Sequence, residues 1–123
     1  MYRILDGSEK GIVAIKVEGK LNREEYELLN AYVDQRRQEG QELNFLCDLV
    51  EVDGLKSQVV WEEMTRHLRN LRNSQRIAVV GGRRWLESGT IGFEPSLKDQ
   101  LKFFPSDQAD AAWLWVKKPE GSP

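Results

Sequence analysis

Leu43-Asn44-Phe45-Leu46-Cys47-Asp48-Leu49 is nearly continuous apolar sequence, interrupted by Asn44 and closed by Asp48. That is the pattern of a strand covered on both faces, as in a parallel sheet with helices packed on it. Downstream, Val60, Met64, Leu68 and Leu71 recur at spacings of four, four and three. They predict a helix with one apolar stripe, bordered by Trp61 and His67. Arg76 to Val80 is the next buried strand and Leu101 to Phe104 a later one. Ser106 is placed to cap a final helix with Ala109, Ala112, Trp113 and Val116 at core spacing. Upstream, Asn22 precedes Glu25 by three positions, a variant capping box, and Tyr26, Leu29 and Val33 repeat at helical spacing until Gly40 ends the helix. Earlier still, Val13, Ile15 and Val17 alternate with Ala14, Lys16 and Glu18, the period of a half-buried strand. The polar turn Asp6 to Gly11 joins that strand to the shorter apolar stretch Tyr2 to Leu5, predicting an antiparallel hairpin.

The order strand, strand, helix, followed by three repeats of strand and helix, predicts an α/β fold. Its core is a single mixed, mostly parallel five-stranded sheet with about four helices, the parallel part built from right-handed crossovers. Residues 1–118 are expected to form one domain, with 119–123 a C-terminal tail. A chain of 123 residues, 40% hydrophobic, has the length and the apolar content for one core. No apolar run approaches the ~18 residues that span a bilayer. The start Met1-Tyr2-Arg3-Ile4-Leu5-Asp6 lacks the basic and then greasy pattern of a signal peptide, so the expectation is a cytoplasmic protein. One cysteine, Cys47, and one histidine, His67, leave no soft-ligand cluster for zinc or an iron–sulfur centre. No cofactor motif is present.

This succession of elements resembles the SpoIIAA-like family, small bacterial proteins related to the STAS domain of anti-sigma-factor antagonists. Met1-Tyr2-Arg3-Ile4-Leu5 and Gly19-Lys20-Leu21-Asn22-Arg23-Glu24-Glu25-Tyr26 carry the resemblance at the start. Asp48-Leu49 followed by Trp61-Glu62, and Arg76-Ile77-Ala78-Val79-Val80-Gly81 followed by Arg84-Trp85, carry it through the middle. Phe103-Phe104 and Ala111-Ala112-Trp113 carry it to the end. The resemblance implies a STAS/SpoIIAA-like fold whose relatives include partner-switching regulators and carriers of hydrophobic ligands; it does not imply an activity. In STAS-type antagonists a serine after the third strand is phosphorylated to switch partner binding, and the count from Asp48 brings Ser57 to that position. Lys56 stands where the family pattern has an acid. The plain alternative is that Ser57 caps the helix of Val60 and Met64.

The net charge is −2, yet residues 64 to 86 hold six arginines (Arg66, Arg69, Arg72, Arg76, Arg83, Arg84) and no acid. Arg66 follows Glu62 by four and belongs to a solvated helix face, and Arg69 and Arg72 complement a helix C-terminus. Arg83 and Arg84 are explained least by such roles. Gly81-Gly82-Arg83-Arg84-Trp85 should leave the C-terminal end of a central strand, where glycines let backbone N–H groups approach an anion and two guanidiniums add charged donors. It fits neither a P-loop nor a dinucleotide fingerprint. Trp85 to Pro95 carries large apolar groups and two interior glycines, a loosely held element suited to a lid or a membrane contact.

The expectation is therefore a non-enzymatic binding module for a hydrophobic or amphipathic anionic, lipid-like ligand. Gly81, Gly82, Arg83 and Arg84 would hold its head, Trp85, Leu86, Ile91 and Phe93 its tail or a bilayer, and Trp61 would line the same cavity. A peripheral contact at the inner membrane surface accompanies this reading. The alternative is a regulatory protein-interaction switch controlled by phosphorylation near Ser57. A protein partner and a homodimer stay open, and no nucleic acid is expected because the rest of the chain carries 12 of the 18 basic residues against all 20 acidic ones. Asp48 and Asp53 lie near one sheet edge but supply no defined carboxylate pair, and no Ser-His-Asp or Cys-His order is present.

Overall fold

A computed structural model of the chain describes residues 1–5, 8, 11–38, 43–52, 56–68, 74–87 and 100–117, the side chain of Leu86 excepted. Five strands form one sheet: β1 (Tyr2–Ile4), β2 (Ile12–Val17), β3 (Asn44–Asp48), β4 (Ile77–Gly81) and β5 (Leu101–Pro105). They lie side by side in chain order. β1 pairs antiparallel with β2, with Tyr2 opposite Val17, and every later pairing is parallel. The helices are α1 (Arg23–Gln38), α2 (Ser57–His67), the single turn α3 (Arg83–Leu86) and α4 (Ala109–Lys117). This is the α/β architecture the sequence predicts, with β3 and β4 in the interior of the sheet.

The period of two along each strand divides the core into two layers. Val13, Ile15, Val17, Phe45, Cys47, Ile77 and Val79 face α1 and α2 and meet Leu29, Val33, Val60, Trp61 and Met64. Ile12, Ala14, Leu46, Ala78, Val80 and Phe104 face the other way and are covered by Ala112 and Val116 of α4. β3 and β4 are thus buried on both faces, which is why their sequences read as continuous apolar runs.

Local chemistry sets the helix ends. The Asn22 side chain accepts a hydrogen bond from the Glu25 N–H at 2.8 Å, while the Asn22 N–H donates to Glu25 Oε1 at 3.1 Å, completing the expected capping box. That bond and the nearby N-terminal ammonium, 3.1 Å from Glu25 Oε2, hold the Glu25 carboxyl below its usual range. At the final helix the expectation needs correction. Ser106 opens a 3-10 turn, Ser106–Gln108, without a side-chain cap bond, and α4 starts at Ala109. α2 also ends earlier than its stripe suggests, because Leu68 turns extended at φ −88° and ψ 102° while remaining buried. Glu62 takes a hydrogen bond from Gln58 Nε2 at 3.0 Å; no ion pair to Arg66 forms among the described residues. Gly40, Leu71, Arg69 and Arg72 lie outside the described residues.

Cys47 is enclosed in β3, and burial pushes its thiol up from the ordinary 9.0 to about 12. Two consequences are testable. The folded protein should resist thiol alkylation near pH 8 and react only as fast as it unfolds, read by mass after a timed quench. Because the folded thiol holds its proton longer than the unfolded one, this contribution to stability is complete below pH 9 and is lost as the pH rises from 9 towards 12.

Candidate functional site

The stretch singled out by its glycines and arginines leaves the C-terminal end of β4. Gly81 is the last residue of that strand and Gly82, at φ −66° and ψ 147°, precedes α3. The reason for glycine at 81 is internal to the fold. A Cβ built there would stand 2.6 Å from Cε3 of Trp85, so the bare backbone makes room for the indole. At Gly82 a Cβ would meet nothing within 4 Å.

Trp85 is 2% exposed. Its ring meets Phe103 edge to face, with centroids 5.7 Å apart and planes at 88°, and its Nε1 donates to Gln58 Oε1 at 3.2 Å. Trp61, 0% exposed, approaches the same Phe103 at 6.1 Å and 78°. The two tryptophans expected to meet a ligand are therefore core residues that clasp one phenylalanine between α2, α3 and β5. Edge-to-face pairs of this kind add about 0.5–1.5 kcal/mol each beyond the burial of area.

Arg83 is answered within the chain. Its Nη2 lies 2.6 Å from Oδ2 of Asp107 in the 3-10 turn, and the bond raises the guanidinium and lowers the Asp107 carboxyl from their usual values. At 54% and 60% exposure this is a solvated pair. Arg84 is exposed with no partner among the described residues. The Leu86 side chain, Ile91 and Phe93 lie outside the described residues. An open α/β sheet collects ligands where its strand order reverses, whereas these strands run in unbroken sequence order.

A different edge is more developed. β2 ends at Val17, and the chain then turns through Gly19, whose φ of +116° strains any other residue, into Lys20 and Leu21. After β3, the Asp48 side chain accepts the Val50 N–H at 3.0 Å and turns the chain through Glu51 and Val52 towards α2. These two turns and the first turns of α2 enclose an apolar recess of about 250 Å³ lined by Gly19, Val52, Val59 and Val60, with Lys20, Lys56 and Glu51 on it. Val59 is 51% exposed, and Val50, next to the lining residue Glu51 in the chain, is exposed as well. Ion pairs brace the recess: Lys16 to Glu51 at 3.1 Å and Lys20 to Glu63 at 3.4 Å. Sequence reasoning missed it, although Val59 lies off the Val60, Met64, Leu68 stripe and is the signal that could have found it.

Ser57 is bonded to Val52, which lines the recess. It is not the helix cap, since Lys56 occupies that position without a side-chain bond and Ser57 is the first helical residue. Its side chain is 1% exposed, and Oγ donates to the Val52 carbonyl at 3.5 Å. Asp53 lies outside the described residues.

A mixed sheet in sequence order, antiparallel at its first strand and covered by α1 and α2 on one face and α4 on the other, defines a STAS-type α/β domain with its exposed apolar rim at the start of α2. The chain belongs to the SpoIIAA-like family, whose model matches residues 12–117. No curated protein and no solved structure matches it. No helix among the described residues is long and apolar enough to cross a membrane.

Proposed function

We propose that the protein is a non-enzymatic regulatory module that docks a protein partner at the rim formed by Gly19 and Lys20, Val50 to Val52, and the first two turns of α2. The observation that carries this reading is the apolar recess, with Val59 and Val50 open to solvent in a region otherwise braced by ion pairs. Exposed apolar groups rimmed by charge suit an interface whose anchor is one apolar side chain of the partner. Membership of the SpoIIAA-like family supports a regulatory role. The lipid reading has less support. Trp85 and Trp61 are spent on Phe103, and Arg83 already has Asp107 as its counter-ion. An enzyme has less still, since Cys47 is a protonated thiol inside the sheet.

Ser57 is the proposed input. A phosphate adds up to two negative charges and three acceptor oxygens, and a side chain 1% exposed has no room for them. Modification therefore requires the first turn of α2 to open, and the phosphorylated residue keeps that turn from reseating. The rim is then lost with it, so phosphorylation releases the partner.

Val59→Glu tests the docking face. The position is half open, so stability should change by no more than about 0.5 kcal/mol. Affinity capture from the native cell extract, comparing Val59→Glu with the unaltered chain, should lose its specifically enriched partner by about tenfold or more. Equal enrichment by both chains would remove the rim from the account.

A further inference from the structure

The opposite face of the sheet carries a second surface that the rim does not explain. α4 turns Ala112 and Val116 inward, which leaves Trp113 and Trp115 half-buried at its sides and Leu114 68% exposed on its crest. Cations lie over these rings. Lys102 Nζ, from β5, stands 5.2 Å from the Phe104 ring and 5.9 Å from the Trp115 ring. Lys117 Nζ stands 5.4 Å from Trp113. Arg76 lies 5.8 Å from Trp115 and donates to its carbonyl at 2.9 Å.

Several cations elsewhere are matched with carboxylates: Arg3 with Glu18, Lys16 with Glu51, Lys20 with Glu63, Arg83 with Asp107. Lys102 and Lys117 have no carboxylate in ion-pair reach among the described residues, and Asp110, the acid on α4, is two turns from Lys117. An ammonium over an exposed ring gains modestly from the ring quadrupole and keeps free donor directions for an anion. The surface thus combines apolar edges, a protruding leucine and cations whose charge is unanswered.

We propose that α4 and Lys102 form a second docking surface, for an acidic segment of a protein partner that places carboxylates on Lys102 and Lys117 and an apolar side chain against Leu114 and the Trp115 edge. Charge complementarity selects this occupant. A bilayer is disfavoured because one leucine protrudes from a nine-residue helix and ammonium groups cover the ring faces that would enter the acyl region. A nucleic acid is disfavoured by the −2 net charge and by how few cations are gathered here. With α2 on one face of the sheet and α4 on the other, the domain could hold two partners at once.

The test uses the full chain and a fluorescein-labelled peptide, Glu-Glu-Asp-Leu-Glu-Glu-Asp, followed by anisotropy. Binding should weaken by about tenfold or more in the double variant Lys102→Glu with Lys117→Glu, and steeply as salt rises from about 25 to about 300 mM. The counterpart peptide with Gln and Asn for its acids should not bind. Both lysines are exposed, so the double variant should keep its circular dichroism and melting temperature. Val59→Glu should bind the peptide like the unaltered chain, which keeps this surface distinct from the rim. The proposal is overturned by no binding up to about 1 mM peptide, by equal affinity in the charge-reversed variant, or by equal binding of the neutral peptide. It is also overturned if lysine-dependent binding appears only on phosphatidylglycerol vesicles, or if the lysines are needed only for self-association in light scattering.

Discussion

Trp85→Ala should lower stability by about 3–5 kcal/mol, among the largest effects of any single substitution in this chain. The indole is 2% exposed, seated on the bare backbone of Gly81, set edge to face on Phe103 and bonded through Nε1 to Gln58. Removing it empties a contact shared by three elements and leaves the α3 turn without its anchor. Gly81→Ala attacks the same contact from the other side. The added methyl meets the ring at 2.6 Å, and overpacking of this kind costs about 1–3 kcal/mol. The two should not add. With the indole gone, alanine at 81 has nothing to strike, so the double variant should be no less stable than Trp85→Ala alone, a coupling of about 1–3 kcal/mol by urea denaturation. Additive losses would show that Gly81 is glycine for some other reason, and the anion-binding explanation would return.

Ser57→Glu should cost about 3 kcal/mol or more, whereas Ser57→Ala should cost about 1 kcal/mol or less. The difference comes from enclosing a carboxylate where a hydroxyl donates to the Val52 carbonyl. Local opening is the cheapest relief. Hydrogen exchange in the Ser57→Glu protein should therefore rise first in the initial turn of α2, while the β3 and β4 amides stay protected. If Ser57→Glu melts with the unaltered chain and exchanges like it, the serine has room for charge and the proposed switch fails.

The elements that were legible in the sequence are those whose signals are local. The two-sided apolar run at Leu43 to Leu49 foretold an interior strand, and Asn22 with Glu25 foretold a helix start, because a strand's period and a capping box each lie within a few residues. The candidate site was legible only in part. Gly81-Gly82-Arg83-Arg84-Trp85 reads as a ligand cradle because Phe103, which meets Trp85, and Asp107, which pairs with Arg83, are about twenty residues away along the chain and adjacent only after folding. Trp61 and Trp85 look alike in sequence whether they face a ligand or a phenylalanine. Arg83 likewise looks unexplained until the 3-10 turn brings its counter-ion. The recess by Val59 was missed for the same reason, since it needs the ends of β2 and β3 beside α2, and periodicity reports only which face of one helix is apolar.

The central claim is that the rim at the start of α2 meets a protein partner. The most direct measurement replaces Val59 with a photo-crosslinking amino acid in living cells, with the same group at Leu28, exposed on α1, as the control. A discrete protein adduct from position 59, absent from position 28 and lost when Ser57→Glu is added, is the predicted result. No adduct from position 59, or the same adducts from both positions, would contradict the claim.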